Sequence, residues 1–256
     1  MLDWYEGRWP GRVEGETPVD VGGATALGLR KFRNTGDPKT SGAGEGKAGN
    51  GSLMRCLPTG LFQHNEDKLL AESMAISAIT HDDFLCTISC AYYNSVVRYL
   101  LDGVPAEKAM HVSLDVIGNC VPYEKRNEKS RLAAQKVYRA AHWASLIHLD
   151  DLAARGPKNA LNGPQILPLG ASGFVLESLT IALAALLDPR PLEDVLVDIV
   201  KIGRDTDTNG AIAGGLLGAQ RGLEAIPQRW RDKLQFGSEF TALVDEILAL
   251  RRSPSP

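Results

Sequence analysis

The feature that most constrains the fold is helical periodicity, which runs through most of the chain from about Lys68 onward. Apolar residues recur there at spacings of three and four, the pattern of a helix with one buried face. Alternation of apolar and polar residues, which is typical of a half-buried strand, is nearly absent. The sequence therefore predicts an all-α fold, a single compact multi-helix domain over residues 1–250 with a flexible tail at residues 251–256.

Residues that start or stop helices divide this pattern into segments. Pro105 and Pro191 stand where first-turn prolines are tolerated, and Asp102-Gly103 and Gly222 stand where helices stop. The predicted helices are Gly23–Thr35, Leu69–Thr80, Asp83–Leu101, Pro105–Ile117, Glu128–Ile147, Gly173–Leu187, Pro191–Val200, Thr208–Leu223 and Phe240–Leu250. The glycine-rich residues 35–46 predict a mobile loop between the first two helices.

Composition and charge narrow the class of protein. The chain has 256 residues, of which 44% are hydrophobic, enough for a substantial core. The formal net charge is −3 and the basic residues are scattered, so we expect no nucleic-acid partner. No apolar run approaches the roughly 20 residues that span a bilayer, and the first residues lack the features of a secretory signal. We therefore expect a soluble, cytoplasmic monomer that binds no membrane.

The spacing of the cysteines is consistent with the expected cytoplasmic location. They form no C-x-x-C pair, and two of them lie four positions apart in an apolar, helical run. We expect all of them to be small buried hydrophobes in a reducing environment. The four are Cys56, Cys86, Cys90 and Cys120.

The segment 203–210 concentrates oxygen ligands where a small-residue helix begins. Asp205 and Asp207 are two positions apart, so in a turn both carboxylates can converge on one point, and Thr208 adds a neutral oxygen. Oxygen ligands of this kind suit Mg²⁺, Mn²⁺ or Ca²⁺. The alternative is a helix N-cap, which accounts for one carboxylate. Two carboxylates and a threonine exceed that need, so we predict a hard-cation site that faces a cleft.

Two loops carry further candidate binding residues. In Gly49-Asn50-Gly51-Ser52 the glycines would let backbone N–H groups approach a ligand, although a plain turn is an equal alternative. The second loop is Thr80-His81-Asp82-Asp83, in which His81 is placed to donate to a ligand phosphate or ribose. Its neighbours Asp82 and Asp83 are better interpreted as caps of the helix that follows.

The order of these motifs resembles the ADP-ribosylglycohydrolase family. The resemblance rests on Gly49-Asn50-Gly51-Ser52-Leu53-Met54-Arg55, then Thr80-His81, then Ser172-Gly173-Phe174, then Gly203-Arg204-Asp205-Thr206-Asp207-Thr208. It extends from about Trp4 to Trp230. It implies an all-α hydrolase that releases ADP-ribose from ADP-ribosylated proteins or from small ADP-ribose conjugates.

The resemblance also implies roles for individual residues. Asp205, Asp207 and Thr208 correspond to ligands of a binuclear Mg²⁺ or Mn²⁺ centre. Positions that contact or lie close to ADP-ribose in the family correspond to Gly49, Asn50, Gly51, Ser52, His81, Ser172, Gly173 and Phe174. The position of Phe174 is often tyrosine in relatives, so a hydroxyl is lost here.

The chain departs from the family pattern at its start. Relatives begin with an acidic helix and a Thr-Asp-Asp segment that supplies the opposing half of the metal cage, and both would precede Met1, so no catalytic residue is assigned. We expect a late recorded start or a truncation; a degenerate noncatalytic relative, or replacement of the ligands by acids such as Asp20, Asp82 or Asp83, are the alternatives.

The number of ligands limits the activity that we expect. With three side-chain ligands from one side of the cleft, the chain should bind divalent metal weakly and hydrolyse ADP-ribosyl substrates poorly, while still recognising ADP-ribose. A noncatalytic ADP-ribose or nucleotide-binding protein, or a structural protein, is the alternative function.

The last predicted helix before the C-terminal one contains a row of glycines. Gly210, Gly214 and Gly218 are spaced i, i+4, which predicts close packing of their helix against a neighbour.

Overall fold

The computed structural model describes residues 1–8, 11–118, 120–121, 126–155 and 170–252. The helices in those ranges are α1 (Leu2–Tyr5), α2 (Gly23–Thr35), α3 (Leu57–Phe62), α4 (Glu66–Ala78), α5 (Phe84–Leu101), α6 (Ala106–Ile117), α7 (Glu128–Ala144), α8 (Leu149–Arg155), α9 (Val175–Leu187), α10 (Leu192–Ile202), α11 (Thr206–Arg221), α12 (Gln228–Arg231) and α13 (Gly237–Arg252). No strand occurs in the same ranges, where a bridge between Gly49 and Phe174 is the one β-type pairing. The predicted all-α fold is confirmed.

Two helices that are buried on every side form the centre of the fold. In α5 every residue from 86 to 97 is buried, and in α9 every residue from 175 to 186 is buried. Helix α5 contacts α3, α4, α6, α7, α9 and α11, while α9 also contacts α7, α10 and α11. Because both helices lack a solvent-facing stripe, the other helices form a layer around them.

Local sequence explains where several helices begin and end. Asn65 caps α4 by accepting a hydrogen bond from the Lys68 amide, and Asn127 forms a capping box with Ser130 at α7. Helix α2 stops at Gly36, whose φ of 67° is the left-handed conformation that favours glycine. The observed bounds differ from the predicted ones mainly by a few terminal residues, and α13 extends to Arg252, two residues into the predicted tail.

Residues 35–46 pack against the segment that follows α4. The Ser41 hydroxyl donates to the Ile79 carbonyl at 2.7 Å, and the Ala43 amide donates to the Thr80 carbonyl at 3.1 Å. Gly42 leaves no room for a side chain, because an added Cβ would lie 2.2 Å from the carboxyl carbon of Asp82. The loop is therefore fixed beside Thr80 by hydrogen bonds that the sequence pattern did not indicate.

The predicted close-packed row of glycines on α11 is wrong. A Cβ added at Gly210 or Gly218 would meet nothing within 4 Å, and one at Gly214 would only reach a methyl group of Leu196 at 4.0 Å. The glycine that does allow close approach is Gly215, where a Cβ would lie 2.3 Å from the hydroxyl of Tyr93. That hydroxyl donates to the Ile212 carbonyl, so α5 contacts α11 on the adjacent face.

All four cysteines are buried and reduced, as expected for small hydrophobes. No helix in the described ranges combines the length and the apolar character needed to cross a membrane.

Candidate active site

Two loops that are far apart in the chain pair with each other in front of α9. The Asn50 amide donates to the Gly173 carbonyl at 2.9 Å, and the Val175 amide donates to the Ala48 carbonyl at 3.1 Å. These bonds flank the bridge between Gly49 and Phe174. The glycine loop of residues 48–52 is thereby held against residues 172–175.

Asn50 connects this pair of loops to α11. Its buried side-chain amide donates to Oδ2 of Asp205 at 2.7 Å and to the hydroxyl of Ser178 at 2.9 Å. The Asp205 amide in turn donates to the Ala171 carbonyl. Three of the motifs selected from the sequence therefore meet at one point, which sequence spacing alone does not reveal.

The N-termini of three helices surround the glycine loop. Asp205 precedes α11, Phe174 precedes α9, and Asp83 precedes α5, where the thiol of Cys86 donates to the Gly49 carbonyl at 3.3 Å. A helix N-terminus carries a partial positive charge that favours anions, and the first turns of α9 and α11 have no side-chain cap, whereas Asp83 caps α5. The arrangement suits a ligand with phosphate groups.

Asp205 occupies the N-cap position of α11 but does not act as a cap. It makes no capping hydrogen bond to the amides of the first turn, and Asn50 is the partner of its Oδ2. Its other oxygen has no hydrogen-bond partner among the described residues. The capping alternative therefore does not explain this carboxylate. Gly173 also approaches it closely, because a Cβ on Gly173 would lie 3.2 Å from Oδ2.

Asp207 and Thr208 lie in the first turn of α11, which begins two residues earlier than predicted. Asp207 is exposed and Thr208 is half-buried. Neither side chain has a hydrogen-bond partner within the described ranges, so their oxygens remain available to a ligand. The described residues contain no group of three or more His, Cys, Asp or Glu side chains arranged to hold a metal ion. The metal assignment stays a prediction.

Two residues next to Asp205 adopt unusual backbone conformations: Arg204 precedes it in the chain, and Ala171 accepts a hydrogen bond from its amide. Ala171 and Arg204 have φ values of 54° and 63°, in the left-handed region that costs a non-glycine residue about 1–2 kcal/mol. The Ala171 carbonyl accepts hydrogen bonds from the Asp205 amide and from the side chain of Asn209, which fix the turn. Such strain is concentrated at functional sites in folded proteins.

His81 lies under the glycine loop and is only 2% exposed. A Cβ on Gly51 would lie 3.0 Å from Cε1 and 3.3 Å from Nε2 of the ring. Gly51 is therefore required by contact with His81, in addition to any ligand. Burial, and after it the positive charge of Arg55, lowers the pKa of His81 to about 4, so the ring is neutral at pH 7.

Ser52 is fully buried and belongs to the support of the loop. Its hydroxyl lies 2.9 Å from the hydroxyl of Ser77, which itself lies 2.9 Å from the carbonyl oxygen of His81. The thiol of Cys90 donates to Ser52 as well. The glycine loop and His81 are thus joined below the site by hydroxyl groups.

The segment Ser172-Gly173-Phe174 is shaped by Glu177. One carboxylate oxygen of Glu177 accepts from both the amide and the hydroxyl of Ser172 at 2.7 Å. Gly173 is exposed and Phe174 is half-buried. The sequence analysis did not select Glu177 or Ser178, which lie inside the apolar helix α9, and it gave no role to Asn209, which lies within the segment 203–210.

The acids considered as replacement ligands have structural partners or lie elsewhere. Asp83 caps α5 by accepting from the Leu85 amide, as predicted, whereas Asp82 accepts from the Gly44 amide instead of capping. Asp20 is exposed in the segment before α2. None of them belongs to an acidic group around Asp205 in the described residues.

The chain as a whole matches a known protein family. The family model described as ADP-ribosylglycohydrolase matches residues 1–256. This chain belongs to the ADP-ribosylglycohydrolase family. Its sequence and its fold are those of a hydrolase family that acts on ADP-ribosyl groups.

Two named proteins and one solved structure are similar to this chain. The chain is 29% identical over 237 residues to the ADP-ribosyl-[dinitrogen reductase] glycohydrolase of Rhodospirillum rubrum, covering 91% of this chain and 67% of that protein. It is 24% identical over 232 residues to the ADP-ribosylarginine hydrolase Tri1 of Serratia proteamaculans, covering 89% and 54%. A solved structure described as an ADP-ribosylglycohydrolase-related protein complex superposes with a TM-score of 0.65 and 27% identity, covering 90% of this chain and 69% of that one.

Proposed function

We propose that this protein hydrolyses the bond between ADP-ribose and its acceptor on ADP-ribosylated proteins or on small ADP-ribose conjugates, in the cytoplasm and as a monomer. The observation that carries the proposal is the contact between Asn50 and Asp205, which joins the glycine loop to the acidic turn. Membership of the family supports the reaction class. The chain spans 54% of the length of the Serratia relative.

The ligand proposed for the site is ADP-ribose. Its diphosphate would lie near the glycine loop, where three helix N-termini converge, with Ser172, Gly173 and Phe174 on the segment that pairs with this loop. Phe174 offers a ring without a hydroxyl for apolar contact. His81 would support this arrangement from beneath the loop.

Mg²⁺ or Mn²⁺ is the cofactor proposed, in a binuclear centre. Asp205, Asp207 and Thr208 fit one face of such a site, because they are hard oxygen donors without other partners for these oxygens in the described residues. A bound cation would orient the ribose hydroxyls and stabilise charge on them. Asn50 would hold the Asp205 carboxylate in its orientation, and a nearby carboxylate stabilises the positive charge that develops on the sugar carbon.

Calorimetry and product analysis test the proposal together. ADP-ribose is titrated into the protein with Mg²⁺, with Mn²⁺ and with EDTA, and release of ADP-ribose from ADP-ribosylarginine is followed by chromatography. We expect binding in every arm, tighter with metal, and slow metal-dependent turnover. Asp205→Asn should reduce turnover about 100-fold, whereas Asp245→Asn, at an exposed position of α13, should not change it.

A noncatalytic ADP-ribose-binding protein is the second candidate. It is favoured by the exposure of Asp207 and by the lack of a third acidic ligand near Asp205 in the described residues. Binding that is indifferent to metal, without turnover of any substrate, would support this candidate over the hydrolase. Failure to bind ADP-ribose at all would reject both, and rapid turnover would contradict the expectation of a weak metal site.

A further inference from the structure

The guanidinium of Arg55 lies behind His81, on the side away from the glycine loop. Its Nη2 donates to the Thr80 hydroxyl oxygen at 2.8 Å, and its Nη1 donates to the Ile76 carbonyl at 3.0 Å. Both acceptors are uncharged, and within the described residues no ion pair includes Arg55. The side chain is therefore directed at Thr80 by hydrogen bonds to neutral groups.

The Thr80 hydroxyl occupies the position between Arg55 and His81. Its oxygen lies 2.7 Å from Nδ1 of the ring, and Thr80 is fully buried. Its backbone is fixed as well, because the Ala43 amide donates to its carbonyl and a Cβ on Gly28 would lie 2.8 Å from its Cα. Thr80 therefore cannot shift without disturbing α2 or the loop of residues 35–46.

The direction of each hydrogen bond follows from what the groups can donate. A guanidinium only donates, so the Thr80 oxygen accepts from Arg55. The hydroxyl proton of Thr80 then needs an acceptor, and Nδ1 of a neutral imidazole, at 2.7 Å, is the one within reach. A neutral imidazole has one protonated nitrogen, so acceptance at Nδ1 leaves the proton on Nε2.

The protonated nitrogen faces the glycine loop. Nε2 lies 3.3 Å from where a Cβ of Gly51 would stand and 3.5 Å from that of Gly49. An Nε2–H there is a hydrogen-bond donor aimed at the loop that we propose holds the diphosphate. An unprotonated Nε2 would instead direct a lone pair toward this loop. Its repulsion of the negative diphosphate would oppose binding.

We propose that Arg55 is a positioning residue that acts through Thr80 to hold His81 as the Nε2–H tautomer, a donor at the glycine loop. The role of this donor in binding rests on the proposed recognition of ADP-ribose. The tautomer itself is a property of the free protein, so the two can be tested separately.

Nitrogen-15 NMR of the imidazole rings at neutral pH tests the tautomer directly, with His81 assigned from its loss in His81→Gln. In the wild-type protein we expect a protonated Nε2 and an unprotonated Nδ1. Thr80→Ser keeps the hydroxyl and should keep this spectrum. Thr80→Val and Arg55→Met should shift the ring toward the Nδ1–H tautomer, because Nδ1 loses its donor or the hydroxyl becomes free to accept.

Circular dichroism and thermal unfolding report whether each variant folds. If Arg55→Met does not fold, the spectra of the wild-type protein and of the variants T80S and T80V still decide whether the Thr80 hydroxyl sets the tautomer, and an unchanged spectrum in a folded Arg55→Met would overturn the role of Arg55. A protonated Nδ1 in the wild-type protein, or an unchanged spectrum in a folded T80V, would overturn the proposal. A spectrum that changes equally in T80S would overturn it too, since only the hydroxyl should matter.

Calorimetry with ADP-ribose measures the consequence for binding. We expect Thr80→Val and Arg55→Met to weaken binding about 10-fold, the scale of one hydrogen bond, and Thr80→Ser to bind as the wild type does. If the wild-type protein binds no ADP-ribose, the proposed function fails while the tautomer result stands. If the tautomer shifts in T80V and affinity does not, the donor role of Nε2–H is rejected.

Discussion

Asn50 is the residue on which the junction of motifs depends most directly. Its side chain is the hydrogen-bond donor to both Asp205 and Ser178, so Asn50→Ala leaves a partly buried carboxylate and a buried hydroxyl without this partner. We expect the free energy of unfolding to fall by about 1–3 kcal/mol. Urea denaturation measures the change.

Asn34→Ala provides the matched control for that substitution. Asn34 is exposed near the end of α2, so the same truncation should change the free energy of unfolding by less than about 0.5 kcal/mol. Equal effects at the two positions would show that the Asn50 side chain contributes nothing specific to the junction.

The neutral state of His81 makes stability depend on pH. The folded pKa of about 4 lies below the ordinary value of 6.5, so between these values the unfolded chain binds a proton that the folded protein does not. The contribution of His81 to the free energy of unfolding is fully present above about pH 6.5 and is lost as the pH falls toward 4. Urea unfolding across this range should show the loss, and His81→Gln should reduce it, whereas His142→Gln, at an exposed site, should leave it intact.

At the scale of elements, α11 shows which glycine is required by packing. Gly215→Ala would place a Cβ against the buried, hydrogen-bonded hydroxyl of Tyr93, so we expect a loss of about 1–3 kcal/mol in the free energy of unfolding. Gly218→Ala meets open space in the same helix and should stabilise it by about 0.5–1 kcal/mol. Thermal unfolding of both variants checks the contrast, and a stable Gly215→Ala would contradict close contact with α5.

The glycine pattern also marks the limit of what the sequence of one helix can predict. Periodicity placed α2 at its observed bounds and the longer helices within a few residues, because each has a buried face and recognisable caps. It missed α1, α3, α8 and α12, which are too short to show a period. It selected the wrong glycines on α11, because small residues do not reveal which face of their own helix a neighbour approaches.

The candidate site was predicted only in part, for a related reason. The oxygen-rich turn and the glycine loop are visible in the sequence, and the family resemblance groups them. Their contact spans 155 positions between Asn50 and Asp205, and no local pattern encodes it. Arg55 contacts Thr80 across 25 positions, and Glu177 acts through the turn that it forms with Ser172, so these roles also required the structure.

At the scale of the whole molecule, a ligand at this junction should stabilise the entire fold. It would contact segments near residues 50, 173 and 205, all of which separate on unfolding. ADP-ribose at about 100 times its dissociation constant should add about 2.7 kcal/mol to the free energy of unfolding. Thermal unfolding with a concentration series of ADP-ribose measures this, with adenosine as the control that lacks the diphosphate; equal shifts from both ligands would argue against recognition at the helix N-termini.

The hydrogen bond between Asn50 and Asp205 also has a kinetic consequence. Because it closes a loop of 155 positions, it forms only after the helices between its ends have been brought together, at a cost in chain entropy. The backbone hydrogen bonds within helices such as α4 and α5 are local and can form before it. In pulse-labelling hydrogen exchange the amides of Asn50 and Val175, which bond across the paired loops, should therefore gain protection later than amides within α5, so that binding competence is among the last properties to appear during refolding.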